Sequence, residues 1–198
     1  MFYPLKIQKY ILKKKRSKFI SFIKPCNNIL DFRSWLSQLK NEYYDASHFC
    51  WAYRVYDSRV IEQNYSDSGE PKGTAGRPIM KVLKEAELIN CIIVVIRYFG
   101  GTKLGKSGLI ECYYQAAHGT IENLKLSSWV KRDRYAIECN IKYYSKVMIL
   151  LSNYKIKILV DKSSDVSKWI IDIPESKVSP LLKKINEKAR GSLSFKRI

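Results

Sequence analysis

The sequence predicts an α+β protein built from two domains, and three observations carry that prediction. Strand-length runs, alternating or continuously apolar, recur along the chain; stretches with apolar residues at helical spacing lie between them; and the C-terminal third orders its elements β-α-β-β-α-β. A chain of 198 residues can bury one sizeable core or two small ones, and its 46% hydrophobic content is a globular share that argues against wholesale disorder.

The elements follow in order. Residues 6–25, "KIQKYILKKKRSKFISFIKP", carry β-branched residues on both sides of a basic turn, Lys13-Lys14-Lys15-Arg16, and read as two strands. Phe32, Trp35, Leu36, Leu39 and Tyr43 fall at helical spacing after Asn28, a residue suited to cap a helix. "ASHFCWAYRVY" (46–56) alternates as a strand, with His48, Cys50 and Ala52 on one face and Phe49, Trp51 and Tyr53 on the other. The stretch "NYSDSGEPKGTAGRP" (64–78) is rich in turn residues, and a short helix is expected from Arg77 or Pro78, capped by Thr74. "CIIVVIRYF" (91–99) opens with six apolar residues and reads as a buried strand. After a glycine loop, Leu109, Tyr113, Ala116, Ala117, Thr120 and Leu124 mark a long helix over 106–124.

The second domain begins near residues 126–130, which divides the chain into 1–127 and 128–198. Strands are expected at "RYAIECNI", "KIKILV", "KWIIDI" and "GSLSFKRI", and helices at "YYSKVMILLSN" and "ESKVSPLLKKINEKA", with Pro180 in the first turn of the latter. This order is the ferredoxin-like pattern of two helices on one face of an antiparallel sheet.

Composition narrows the function. Five scattered cysteines, Cys26, Cys50, Cys91, Cys112 and Cys139, form no C-x-x-C pair, which argues against a disulfide framework or a structural zinc site. No secretory leader is evident and no apolar run approaches membrane length, so a soluble cytoplasmic protein without a membrane partner is expected. Lys and Arg outnumber Asp and Glu by 36 to 18, a net charge of +18. A surplus of that size attracts polyanions through a long-range, salt-sensitive field, although a compositional bias toward Lys, Ile, Asn and Tyr produces the same number.

One segment satisfies a catalytic pattern. In "RYFGGTKLGKSGL" (97–109), Gly100, Gly105, Lys106 and Ser107 match the phosphate loop G-x-x-x-x-G-K-[ST], and "KILVD" ends in Asp161 as a metal-holding strand does. The element order argues against nucleotide hydrolysis, because such enzymes need a mostly parallel sheet that brings the Asp strand beside the loop.

Two longer segments point elsewhere. "YSDSGEPKGTAGRPI" (65–79) and "VVIRYFGGTKLGKSGLIECY" (94–113) resemble the signature of the IMPACT/YigZ family, also called UPF0029, as do "RSKFI" (16–20), "DASHFCWA" (45–52) and "RGSL" (190–193). The matches keep the family's order over nearly the whole chain. The family loop reads G-G-x-x-L-G-x-G-G-L; this chain keeps Gly100, Gly101, Leu104, Gly105, Gly108 and Leu109 but has Ser107 where Gly is common. The resemblance implies an N-terminal domain with the fold of a small ribosomal-subunit protein and of elongation factor G domain IV. It implies a C-terminal domain similar to domain V of that factor. It also implies a translation-linked regulator that binds partners and carries no assigned chemistry.

The candidate sites are then three. Arg97, Gly100, Gly101, Lys103, Gly105, Lys106 and Ser107 form a loop suited to a phosphate of RNA or of a nucleotide at a helix N-terminus. Asp67, Glu70, Lys72 and Thr74 form a second binding loop, with turn and cap chemistry as the plainer reading. His48 and Cys50 are a possible polar pair on one strand face, with no third group to orient them for catalysis. No enzyme activity, metal or cofactor is expected. The partners expected are RNA or the ribosome, or a translation-factor protein. The alternatives are a nucleotide-binding or nucleotide-hydrolysing enzyme using residues 100–107 and a pure protein-interaction module.

Overall fold

In the computed structural model, which describes residues 1–57 and 60–198, the apolar run after Asn90 forms the middle of a five-stranded antiparallel sheet. Its strands are β2 (Gln8–Lys14), β3 (Ser17–Pro25), β4 (His48–Asp57), β5 (Val60–Ser66) and β6 (Cys91–Tyr98), in the spatial order β2-β3-β6-β4-β5. The helix α1 (Ile29–Glu42) packs Phe32, Trp35 and Leu39 on one face, against Phe22, Phe49, Val94 and Ile96. On the other face, α2 (Gly76–Glu85) and α3 (Gly105–Ile121) pack Leu83, Leu109, Tyr113 and Ala116 against Phe19, Cys50, Ile93 and Val95. Covering both faces explains why β6 lacks the polar alternation usual in antiparallel sheets: each of its first seven residues is buried.

Three features of this part of the chain differ from the sequence expectation. The strand β5 reaches back into the stretch expected to be turns, and its exposed polar residues are those of a sheet edge. The helix α2 starts at Gly76, and Thr74 does not cap it: its hydroxyl donates to the Pro71 carbonyl at 2.7 Å. The long helix ends at Ile121 rather than 124. A short pair of strands, β1 (Phe2–Pro4) and β7 (Leu126–Ser128), ties the two ends of this part of the chain together.

The chain divides into two units, Met1–Trp129 and Val130–Ile198. The second holds β8 (Arg132–Asn140), α4 (Tyr144–Asn153), β9 (Lys157–Asp161), β10 (Val166–Pro174), α5 (Glu175–Lys188) and β11 (Ser194–Arg197). Its sheet runs β11-β8-β10-β9, antiparallel throughout, over a core of Ile137, Val147, Leu151, Trp169, Ile171, Leu181 and Ile185. The helix α5 begins at Glu175, so Pro180 lies beyond its first turn and leaves the carbonyl four residues back without its intrahelical donor.

Candidate functional site

The glycine loop is held by the turn on the other side of β3. Lys15 and Arg16 form a two-residue hairpin turn, both at positive φ (45° and 65°), between the paired residues Lys14 and Ser17. Two non-glycine residues in the left-handed region store about 1 kcal/mol of strain each. Gly100 packs so closely on this turn that any Cβ there would collide with the Arg16 carbonyl group. The close approach places the exposed side chains of the basic run at 13–16 beside the loop that carries exposed Lys103 and Lys106. None of these six cations forms an ion pair among the described residues.

Gly105 opens α3 at φ +73°, and the residue before it, Leu104, offers no side-chain cap. The first-turn N–H groups of α3 therefore lack a side-chain acceptor, and the helix dipole adds positive potential there. A cleft of about 470 Å³ lies beside this turn, lined by His48, Glu70, Arg97, Phe99, Lys103, Leu104, Lys106 and Leu109. Ser107 is not part of it: it lines a separate groove between α2 and α3, with Arg77, Lys81 and Tyr114.

Arg97 departs from its sequence role. It is 5% exposed and donates to Glu70 Oε1 at 2.6 Å, so its charge is neutralised inside the fold. The Tyr113 hydroxyl donates to the same oxygen at 2.8 Å, and Arg97 also reaches the Ser17 hydroxyl at 3.4 Å. Its guanidinium lies between the rings of Phe19 and Phe99, 5.5 and 5.3 Å from their centroids. The exposed cations beside the loop are then Lys103, Lys106 and those of the 13–16 turn.

Asp67 acts as a structural anchor. Its carboxylate accepts the backbone N–H groups of Gly73, Ala75 and Gly76 at 2.8–2.9 Å, capping α2 from nine residues upstream of its start. Glu70 sits at the floor of the cleft, whereas Lys72 is exposed on the loop rim.

His48 and Cys50 do not pair with each other. His48 Nδ1 lies 3.0 Å from the Ser68 carbonyl, and its Nε2 lies 3.8 Å from Glu70 Oε1. The Cys50 thiol donates to the Asp67 carbonyl at 2.9 Å, with the Tyr113 hydroxyl at 3.4 Å. Burial pushes the Cys50 thiol from 9.0 up to about 12, and the Cys91 thiol and the Tyr113 hydroxyl upward as well. A thiol that holds its proton so firmly is a poor nucleophile.

These shifts set a pH dependence. An acid with a higher pKa folded than unfolded keeps its proton longer in the native state, so the stability it brings is complete below pH 9 and is lost as pH rises toward 12. The unfolding free energy from urea titration is expected to fall between pH 9 and 11, by up to about 1.4 kcal/mol per pH unit for Cys50 alone. The fall should be shallower in Cys50→Ala; equal slopes for the two proteins would rule the thiol out as its source.

The phosphate-loop match lacks its architecture. The strand β6 before the loop runs antiparallel to both neighbours, β3 and β4. Asp161 belongs to the second unit, where its carboxylate accepts from the Tyr144 hydroxyl at 2.8 Å and the Trp169 indole at 3.1 Å. Among the described residues, no three His, Cys, Asp or Glu side chains gather to hold a metal, and no helix is long and apolar enough to cross a membrane.

Comparison with known proteins places this geometry. An IMPACT family member of Haemophilus influenzae is 29% identical over 182 residues, 90% of this chain and 87% of that protein. The IMPACT family member YigZ of Escherichia coli is 27% identical over 185 residues, 91% of this chain and 89% of that protein. A crystal structure of a hypothetical protein superposes with a TM-score of 0.71 at 25% identity, over 100% of this chain and 96% of that one. The profile of the Impact N-terminal domain matches residues 15–121, from the basic turn through the glycine loop to the end of α3, and the chain belongs to the IMPACT family.

Proposed function

We propose that this chain is a non-enzymatic, cytoplasmic, translation-linked protein that contacts RNA, free or within the ribosome, through the basic edge around Gly100. The observation that carries the reading is the close packing of Gly100 on Arg16, which joins two cationic segments far apart in sequence at the start of an uncapped helix. Six exposed cations without an ion pair among the described residues, next to backbone N–H donors, suit a phosphate chain better than a single small anion. The link to translation comes from the family resemblance of the two loops.

Ribosome and structured-RNA co-sedimentation over a salt series, with and without nuclease, tests it. Affinity is expected to fall steeply with salt, with a log–log slope of about −0.7 to −0.9 per phosphate contact. The double change Lys103→Glu and Lys106→Glu should weaken binding at least tenfold and flatten the slope by about 2. Retention that ignores both salt and this double change would reject the reading. Retention that survives nuclease through one protein partner would favour a protein-interaction module instead.

A further inference from the structure

The cleft beside the glycine loop is more elaborate than a phosphate contact needs. Its floor is an ion pair, Glu70 with Arg97, and the two side chains are only 3% and 6% exposed. Burying such a pair is commonly less favourable than filling the same volume with apolar side chains, so core packing alone gives no reason for it. Nor is the floor satisfied. Arg97 lines the cleft, and its Nε is buried with no hydrogen-bond partner among the described residues. A buried donor left unpaired is costly unless something completes it.

His48 adds an acceptor. A carbonyl oxygen only accepts, so the contact with the Ser68 carbonyl assigns the hydrogen to Nδ1 and leaves a lone pair on Nε2 of the neutral ring. That lone pair and Glu70 Oε1 lie 3.8 Å apart on the same cleft wall. Phe99, 48% exposed, lines the cleft together with Leu104 and Leu109, which makes its wall aromatic and apolar. The volume, about 470 Å³, falls within the range of small-ligand sites.

We infer that this cleft receives a single unpaired nucleotide of RNA. Its base lies against Phe99, its hydrogen-bonding edge meets the floor of His48, Glu70 and Arg97, and its phosphate stays with Lys103, Lys106 and the first turn of α3. This rests on the RNA reading above and names the form of RNA that the site selects. An acceptor on His48 Nε2 beside the Glu70 carboxylate, whose Oε1 is already taken by Arg97 and Tyr113, suits an edge with two adjacent N–H donors, which guanine carries and uracil lacks. A purely electrostatic edge would bind duplex and looped RNA alike; an aromatic wall over a polar floor discriminates between them.

The test uses the full chain and fluorescence anisotropy with labelled RNAs: a blunt duplex, the same duplex with one bulged guanosine, and the same with one bulged uridine. The guanosine bulge is expected to bind about tenfold more tightly than the blunt duplex, with the uridine bulge between them. Phe99→Ala and His48→Ala should each remove the preference and leave blunt-duplex affinity unchanged; circular dichroism confirms that both variants fold. Free guanosine 5′-monophosphate, titrated by calorimetry, should bind far more weakly than the bulged RNA. Equal, salt-sensitive affinity for bulged and blunt RNA overturns the cleft inference and leaves the basic-edge reading standing. Free nucleotide bound as tightly as the bulge overturns RNA as the occupant, and equal binding of the two bulges overturns the base-edge contact. Absence of binding to every RNA overturns both readings.

Discussion

Glu70→Ala is expected to destabilise the first unit by about 3–5 kcal/mol, because it leaves the Arg97 cation buried without its partner. The same carboxylate oxygen accepts from the Tyr113 hydroxyl, so the substitution also orphans a buried donor on α3 and opens the packing around Cys50. Glu70→Gln keeps an acceptor for Tyr113 but not the charge, and should cost less. The double variant Glu70→Gln with Arg97→Met removes both charges together and should recover at least half of the loss, since the damage lies in the uncompensated ion rather than in the missing pair. Urea unfolding followed by tryptophan fluorescence reports on this unit through Trp35, buried on α1, and Trp51, packed against the same core. A loss under 1 kcal/mol for Glu70→Ala would mean that Arg97 finds water or another partner. A double variant no better than the single one would place the energy in the hydrogen bonds instead.

The pattern of apolar residues made most of this architecture legible. Period-2 and period-3.6 repeats marked β2, β3, α1, β4 and α3, a continuous apolar run marked β6, and Pro78 after a turn-rich stretch marked α2; each of these elements turns at least one face to a core. The strand β5 was invisible for the opposite reason: it lies at the sheet edge, and its sequence "VIEQNYS" alternates weakly and carries turn-favouring Asn and Ser. The pairing of β1 with β7 joins residues more than 120 apart and leaves no local trace.

The site divides in the same way. The glycine turn and the lysines beside it follow from local spacing, whereas the partners of Glu70 lie 27 and 43 residues further on. One local signal did exist. Arg97 closes an unbroken apolar run, and a charge carried into a buried strand needs a buried counter-charge. Nothing in the sequence singles out Asp67 as the cap of α2, since a capping residue is expected immediately before its helix and not nine residues upstream.

Gly100→Ala is expected to damage binding and stability together, and Gly101→Ala serves as its control. At Gly101 the backbone sits at φ +81° with open space around it, so a methyl group meets only the backbone preference, about 1 kcal/mol. At Gly100 the methyl group meets the Arg16 carbonyl, and backbone cannot rotate away as a side chain does. Either the loop or the hairpin turn must shift, at a cost of about 1–3 kcal/mol as in other overpacked sites. The shift separates the 13–16 cations from Lys103 and Lys106, so RNA affinity should fall about tenfold and the salt slope should flatten, although no charge has been removed. That combination distinguishes arrangement from charge: a lysine substitution lowers the slope by removing a contact, whereas Gly100→Ala lowers it by parting contacts that remain present. Filter binding at four salt concentrations, with Gly101→Ala in parallel, reads the difference directly. If both glycine variants bind as the parent does, the two basic segments act independently, and the joined edge is not what RNA contacts.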